Sequence, residues 1–247
     1  MHLVIGLIFL LGSLGSTAEA FHIQVRAFHA QSKLRYQDGE SSVTWNESYL
    51  RGPSQTLSET EAGREKLYPH LGQELSLGFP VWYPHLFVIG GVAQATYHPR
   101  PDETIKDLAP KLAFEWLMNV QNRWMPFARL GLAQHQLKLL SERVETRSLS
   151  PALGLAATKD TFGVTREWED LRLWNGEASL GCKFFTFPTT AVVLEYRYSD
   201  SFIGATLREK ERGVSSYREG FAFERETELS GVRLSSQELS LALEAGF

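Results

Sequence analysis

A single cysteine, Cys182, stands in this chain of 247 residues. One thiol makes no intramolecular disulfide, and no cysteine follows the small residues near position 20 to carry a lipid anchor, so both staples are excluded. After Ala20 no stretch reaches the roughly 20 apolar residues that a membrane-crossing helix needs. Charge of one sign is not concentrated either. Lys and Arg total 25 against 29 Asp and Glu, a net charge of -4, and the basic stripe required by a nucleic-acid partner is missing. Catalytic signatures are absent too: there is no Gly-x-Ser-x-Gly elbow and no His-x-Ser pair, whereas a hydrolase needs a nucleophile beside an oriented base. The expectation is a protein without enzymatic activity, cofactor, metal or nucleic-acid partner.

What is present begins with residues 1–20. The apolar run LVIGLIFLLGSL followed by AEA at Ala18 to Ala20 reads as a signal peptide with a small-x-small cleavage site, although Met1 and His2 bring it no Lys or Arg. Export is expected, with residues 21–247 as one domain, since no linker or shift of composition divides them. At 43% hydrophobic and 22% charged residues, the whole sequence has the balance of a folded chain.

The dominant pattern is strict alternation, the period of a two-faced strand. Phe21, Ile23, Val25 and Ala27 alternate with His22, Gln24 and Arg26, and Leu71, Leu75, Leu77 and Phe79 with Glu74 and Ser76. Phe87, Ile89, Gly91, Ala93, Ala95 and Tyr97 form a third apolar row. Leu112 to Val120, Ala128 to Leu132, Trp174 to Phe184 and Val192 to Tyr198 supply four more, and Leu239, Leu241, Leu243, Ala245 and Phe247 the eighth. Connections alternate between tight (PVWYP, QNRW, FPTT) and long and polar (37–66, 141–167, 201–235), with Pro99 to Leu108 intermediate. Alternating short and long links between neighbouring strands predict an eight-stranded antiparallel up-and-down sheet.

Opposite the apolar rows lie Arg26, Glu74, Glu115, Arg129, Glu177, Lys183, Glu195, Arg197, Glu238 and Glu244. Charges of both signs on one face, with aromatics such as Phe79, Trp116, Phe184, Tyr97 and Tyr198 near strand ends on the other, predict a transmembrane β-barrel. Lipid touches the apolar face, and a charge network fills the narrow lumen. A soluble lipocalin-like carrier is the alternative in which the apolar rows face inward.

These features resemble the small outer-membrane β-barrel proteins of Gram-negative bacteria, the OmpA and OmpX type, over essentially the whole of residues 21–247. LSLALEAGF is similar to their terminal insertion signal, and the resemblance implies that Leu239, Leu241, Leu243 and Phe247 are read by the outer-membrane assembly machinery. EYRYSD at Glu195 to Asp200 looks like a penultimate porin-family strand. The resemblance implies Sec-dependent export, a bacterial outer-membrane location, lipid as a partner, and a structural, surface-interaction or minor porin-like role. A lipid A or phospholipid-modifying barrel enzyme is the runner-up. His70, His98 and His135 are placed on the lumen side near the long loops and read as separate rim residues rather than as metal ligands. The long loops are where a surface ligand would bind. Asn46 to Ser48 matches a glycosylation triplet of little information.

Overall fold

Period-two alternation gives the backbone no helical stripe to bury, so its hydrogen bonds are made between strands. In a computed structural model, residues 21–45, 56–62, 65–82, 85–100, 102–118, 123–148, 159–169, 171–217 and 221–246 are described, and among them twelve strands and no helix occur. Eight of the strands close a ring. β1 (His22–Arg35) pairs with β4 (Glu65–Trp82), and β5 (Leu86–Arg100), β6 (Glu103–Leu117) and β7 (Trp124–Ser148) follow. The wall continues through β9 (Leu171–Phe187), β10 (Thr190–Ser201) and β12 (Ala222–Gly246). β12 returns to β1, with Val25 opposite Leu243. Every pairing is antiparallel, so the cylinder has no free edge at this level.

The segments expected as long polar loops are largely strands, which corrects that expectation. β2 (Asp38–Trp45), β3 (Thr56–Ala62), β8 (Lys159–Trp168) and β11 (Ala205–Ser215) extend the wall upward together with the upper halves of β7 and β12. The pairs run β7–β8, β8–β11, β11–β12, β12–β2 and β2–β3. This collar hides from an apolar-periodicity reading because much of its inward row is Arg and Glu, which satisfy one another. The β5–β6 hairpin is short, closing at Arg100 and Glu103, and from Glu142 to Ser148 β7 pairs only with β8. Among the described residues, no strand therefore continues the collar above β5 and β6.

Where barrel becomes collar, the inward row must change register. In β12 it passes from Phe223, Thr227 and Leu229 to Val232 and Leu234 across Gly231, whose φ of 62° is left-handed. Gly231 suits the bulge because it has no Cβ, which at this point would lie 2.8 Å from the Gln37 side chain. The Gln37 N–H donates to the Ser230 carbonyl at 3.0 Å, tying β1 and β2 to the same bend.

The faces decide the environment. Leu71 is 71% exposed, Leu130 68%, and Leu241 and Leu243 58% each, whereas the polar rows are buried. The inward-facing lipocalin-like arrangement is thereby excluded. β5 reverses the expectation for its row: Phe87, Ile89, Ala93, Ala95 and Tyr97 are buried inside, and Leu86, Val88 and Val92 lie on the outer side. Both faces of β5 are apolar, so hydropathy does not choose between them; space does. Gly91, with Ala113 and Gly131, lines the lumen where Lys111, Arg129 and Arg197 need room.

Candidate functional site

The interior is built in layers along the barrel axis. Nearest the short turns, Phe87, Ile89, Leu117, Phe127, Val193 and Ala242 pack together. Above them comes the charged layer, to which the strands contribute inward residues from opposite walls. Glu195 of β10 accepts from Arg26 Nη2 at 2.6 Å and from Arg129 Nη1 at 2.8 Å. Arg129 also donates through Nε to Glu115 at 2.6 Å, and Lys183 meets Glu115 at 2.6 Å and Glu244 at 2.8 Å. On the other side Arg197 reaches Glu74 at 2.8 Å, Glu195 at 3.2 Å and Glu238 at 3.4 Å. Thus the structure brings together the ten charged residues singled out in the sequence, Glu177 included, through Lys111 at 3.0 Å.

Sequence reasoning placed Lys111 on the correct face but left it out of the network, where it also meets Glu74 at 3.3 Å. It likewise passed over Gln24, whose carbonyl accepts from Arg26 at 2.7 Å and whose amide donates to Glu244 at 3.3 Å. A neutral amide carries no charge signal; its position opposite Glu244 in the β1–β12 register is the only clue. Burial of so many charges is tolerable because each meets an opposite one, and removing a partner is what costs.

The next level holds Asp107, whose Oδ2 accepts from Tyr97 Oη at 2.9 Å and lies 2.7 Å from His135 Nδ1. His70 packs against Tyr97, ring centroids 4.0 Å apart and planes tilted by 35°. His98 is on the exposed outer face of β5, so the three histidines do not share the lumen as expected. The same face reversal moves it. Among the described residues no group of three His, Cys, Asp or Glu is placed to hold a metal. Above this level Leu34, Ile105, Leu137, Leu139, Leu173 and Leu234 belong to a second apolar layer.

The collar repeats the scheme outside the apolar band. Arg143 bridges Glu103 at 3.0 Å, Glu145 at 2.7 Å and Glu211 at 3.2 Å, and Arg166 holds Glu209 with two hydrogen bonds of 2.7 and 2.6 Å. Burial alone would lower the Arg166 pKa, but Glu209 and Glu103 outweigh it and hold the guanidinium above its ordinary value. Trp45, Phe162, Val164, Phe221 and Phe223 cap the collar, with Trp45 stacked on Phe221 at 5.4 Å. A cavity of about 230 Å³ remains beneath the cap, bordered by Tyr36, Tyr68, Arg147, Trp168 and Glu209.

Outward, the aromatic distribution matches two interfaces. Phe79, Trp82, Trp116 and Trp124 are 52–65% exposed near the short turns, and Trp174, Tyr196 and Tyr198 are 44–50% exposed nearer the collar. Tyr97, expected in that outer row, points inward. Polar inside, apolar outside and belted by aromatics, the cylinder is built for lipid. Its fold is that of a small outer-membrane β-barrel.

Solved structures of similar shape include Neisserial surface protein A, with 12% identity and a TM-score of 0.42 over 90% of this chain and 99% of that one. OprG from Pseudomonas aeruginosa gives 11% and 0.41 over 92% and 97%. Ail, the attachment invasion locus protein of Yersinia pestis, gives 11% and 0.33 over 82% and 97%. No protein-family model matches the chain, and no curated protein matches it. Of the residues implied as an assembly signal, the barrel exposes Leu239, Leu241 and Leu243 along one outer row of β12. Phe247, residues 1–20 and Asn46 to Ser48 lie outside the described residues.

Proposed function

We propose that the chain is a non-conducting, non-enzymatic barrel of the bacterial outer membrane, exported by the Sec route, that anchors the collar for recognition at the cell surface. The observation that carries this reading is the filled interior. Glu115 and Glu195 are 0% and 1% exposed, Arg26 and Lys183 1% each, and apolar layers lie on both sides of them. A conducting path needs a continuous wet lumen, and eight strands enclose only enough space for side chains. Mostly paired strands supported by internal Arg–Glu bonds give the collar the rigidity that a recognition surface uses. His135, oriented by Asp107 as a general base would be, is only 8% exposed under an apolar layer, which speaks against a lipid-modifying site there.

Planar-bilayer recordings of the purified barrel test the reading. No discrete opening steps are expected, and a stable ohmic conductance would overturn it. On intact cells, a cysteine placed at the collar residue Glu224, whose side chain is 44% exposed, in a Cys182→Ser background should react with a membrane-impermeant maleimide. Labelling only after lysis would reverse the orientation.

A further inference from the structure

The outer faces of several strands change character at one height. On β7 the outward row runs from Leu130 and Leu132 through Gln134 and Gln136 to Lys138; on β6 it runs from Phe114 and Leu112 through Leu108 to Lys106. On β9 Leu180 and Ala178 give way to Trp174 and Arg172. The first full charge above the apolar band is thus basic on three adjacent strands. Near the short turns these three strands present Trp116, Met118, Trp124 and Phe184 instead.

Register sharpens the point. Lys106 is directly opposite Lys138 in the β6–β7 ladder, and Arg172 is opposite Gln136 on the next strand, diagonal to Lys138. Directly opposed side chains have Cβ atoms about 5 Å apart and diagonal ones about 7–8 Å, and like charges so placed repel. Lys106, Lys138 and Arg172 are all exposed. Lys138 and Arg172 each have further interactions; a bound anion would add to these. Trp174, 47% exposed beside Arg172, marks the headgroup level. Above Lys106 the wall stops at the β5–β6 hairpin, which closes at Arg100 and Glu103, whereas β7 continues past Lys138 and pairs with β8. A bulky headgroup can approach from the β6 side, where no described strand continues the wall above the hairpin.

We propose that Lys106, Lys138 and Arg172 form a binding site for the phosphorylated headgroup of an outer-leaflet glycolipid. Phosphate oxygens accept charge-assisted hydrogen bonds from ammonium and guanidinium groups. The β6 side admits the sugars that carry the phosphate, and the apolar rows below receive the acyl chains. This inference rests on the lipid-facing wall and is independent of the collar's role in recognition.

The folded barrel in a zwitterionic detergent, titrated with fluorescent diphosphoryl lipid A and with its dephosphorylated form, tests the site. The phosphorylated lipid should bind more tightly. Lys106→Gln with Lys138→Gln should weaken it roughly 25-fold, from about 1 kcal/mol per basic residue, and leave the dephosphorylated lipid unaffected. Lys210→Gln, in the collar beside Glu169 and Glu226, should change neither. Should the double variant lose the heat-modifiable gel mobility of a folded barrel, Lys106→Gln alone should still give roughly a 5-fold loss. Equal affinity of variant and parent for the phosphorylated lipid would overturn the proposal. So would binding of inorganic phosphate alone with the same lysine dependence, which would mark a free-anion site.

Discussion

Replacing Arg197 with Met should destabilise the barrel more than any single carboxylate-to-amide change in the same layer. Arg197 is 5% exposed and reaches Glu74, Glu195 and Glu238, with Glu177 at 3.9 Å. At an effective dielectric constant near 20, each such pair attracts by about 4 kcal/mol. Repulsion among the carboxylates and the regained hydration of the guanidinium cancel much of that, leaving a net cost of about 3–5 kcal/mol for stranding a buried partner. The charge balance sets the sign of the control. Arg26, Lys111, Arg129, Lys183 and Arg197 face one more carboxylate than their own number: Glu74, Glu115, Glu177, Glu195, Glu238 and Glu244. Met at 197 enlarges that excess, whereas Glu238→Gln removes it and gives up only a 3.4 Å contact. Glu238→Gln should therefore cost less than about 1 kcal/mol. Urea unfolding of the barrel in phospholipid vesicles, extrapolated linearly to water, measures both. A loss below about 1 kcal/mol for Arg197→Met, or a larger loss for Glu238→Gln, would refute the reasoning.

Three further perturbations bear on other parts of the structure. Gly231→Ala should cost about 1–2 kcal/mol from its left-handed backbone, with crowding against Gln37 in addition, read as a lowered temperature of the gel-mobility shift. Phe162→Ala empties the centre of the aromatic cap, where Phe162 is 0% exposed; a cost of about 3–5 kcal/mol should open the collar to protease while the barrel keeps its folded mobility. Deleting Phe247 should slow outer-membrane assembly in cells, and assembly at the parental rate would contradict its role as a signal.

Seven of the eight outer rows were legible from alternation because each has one face that is mainly apolar and another that is polar. β5 was not, since Val88 and Val92 on one face compete with Phe87 and Ile89 on the other, and the deciding quantity is the volume that the lumen charges need. The error on Tyr97 and His98 follows from that single strand. The collar escaped for a different reason: its inward row mixes Phe162 and Trp168 with Arg143, Arg147, Arg166 and Glu211, so strand pairing there is supported by ion pairs that periodicity of hydropathy does not register. The charged lumen residues were legible as a face, but their bonding order was not, because cross-barrel contacts such as Arg26 with Glu195 join β1 to β10, which are not neighbours in the wall.

The central claim is that the apolar rows meet lipid and the charged rows do not. In a Cys182→Ser background, a small fluorophore attached at Leu241→Cys should be quenched strongly by lipids brominated on their acyl chains and weakly by aqueous iodide. Ser240→Cys, 3% exposed on the inward face of β12, should stay unreactive in the folded barrel toward the lipid-soluble maleimide that labels Leu241→Cys. Labelling at Ser240→Cys with none at Leu241→Cys, or iodide access at Leu241, would contradict the account.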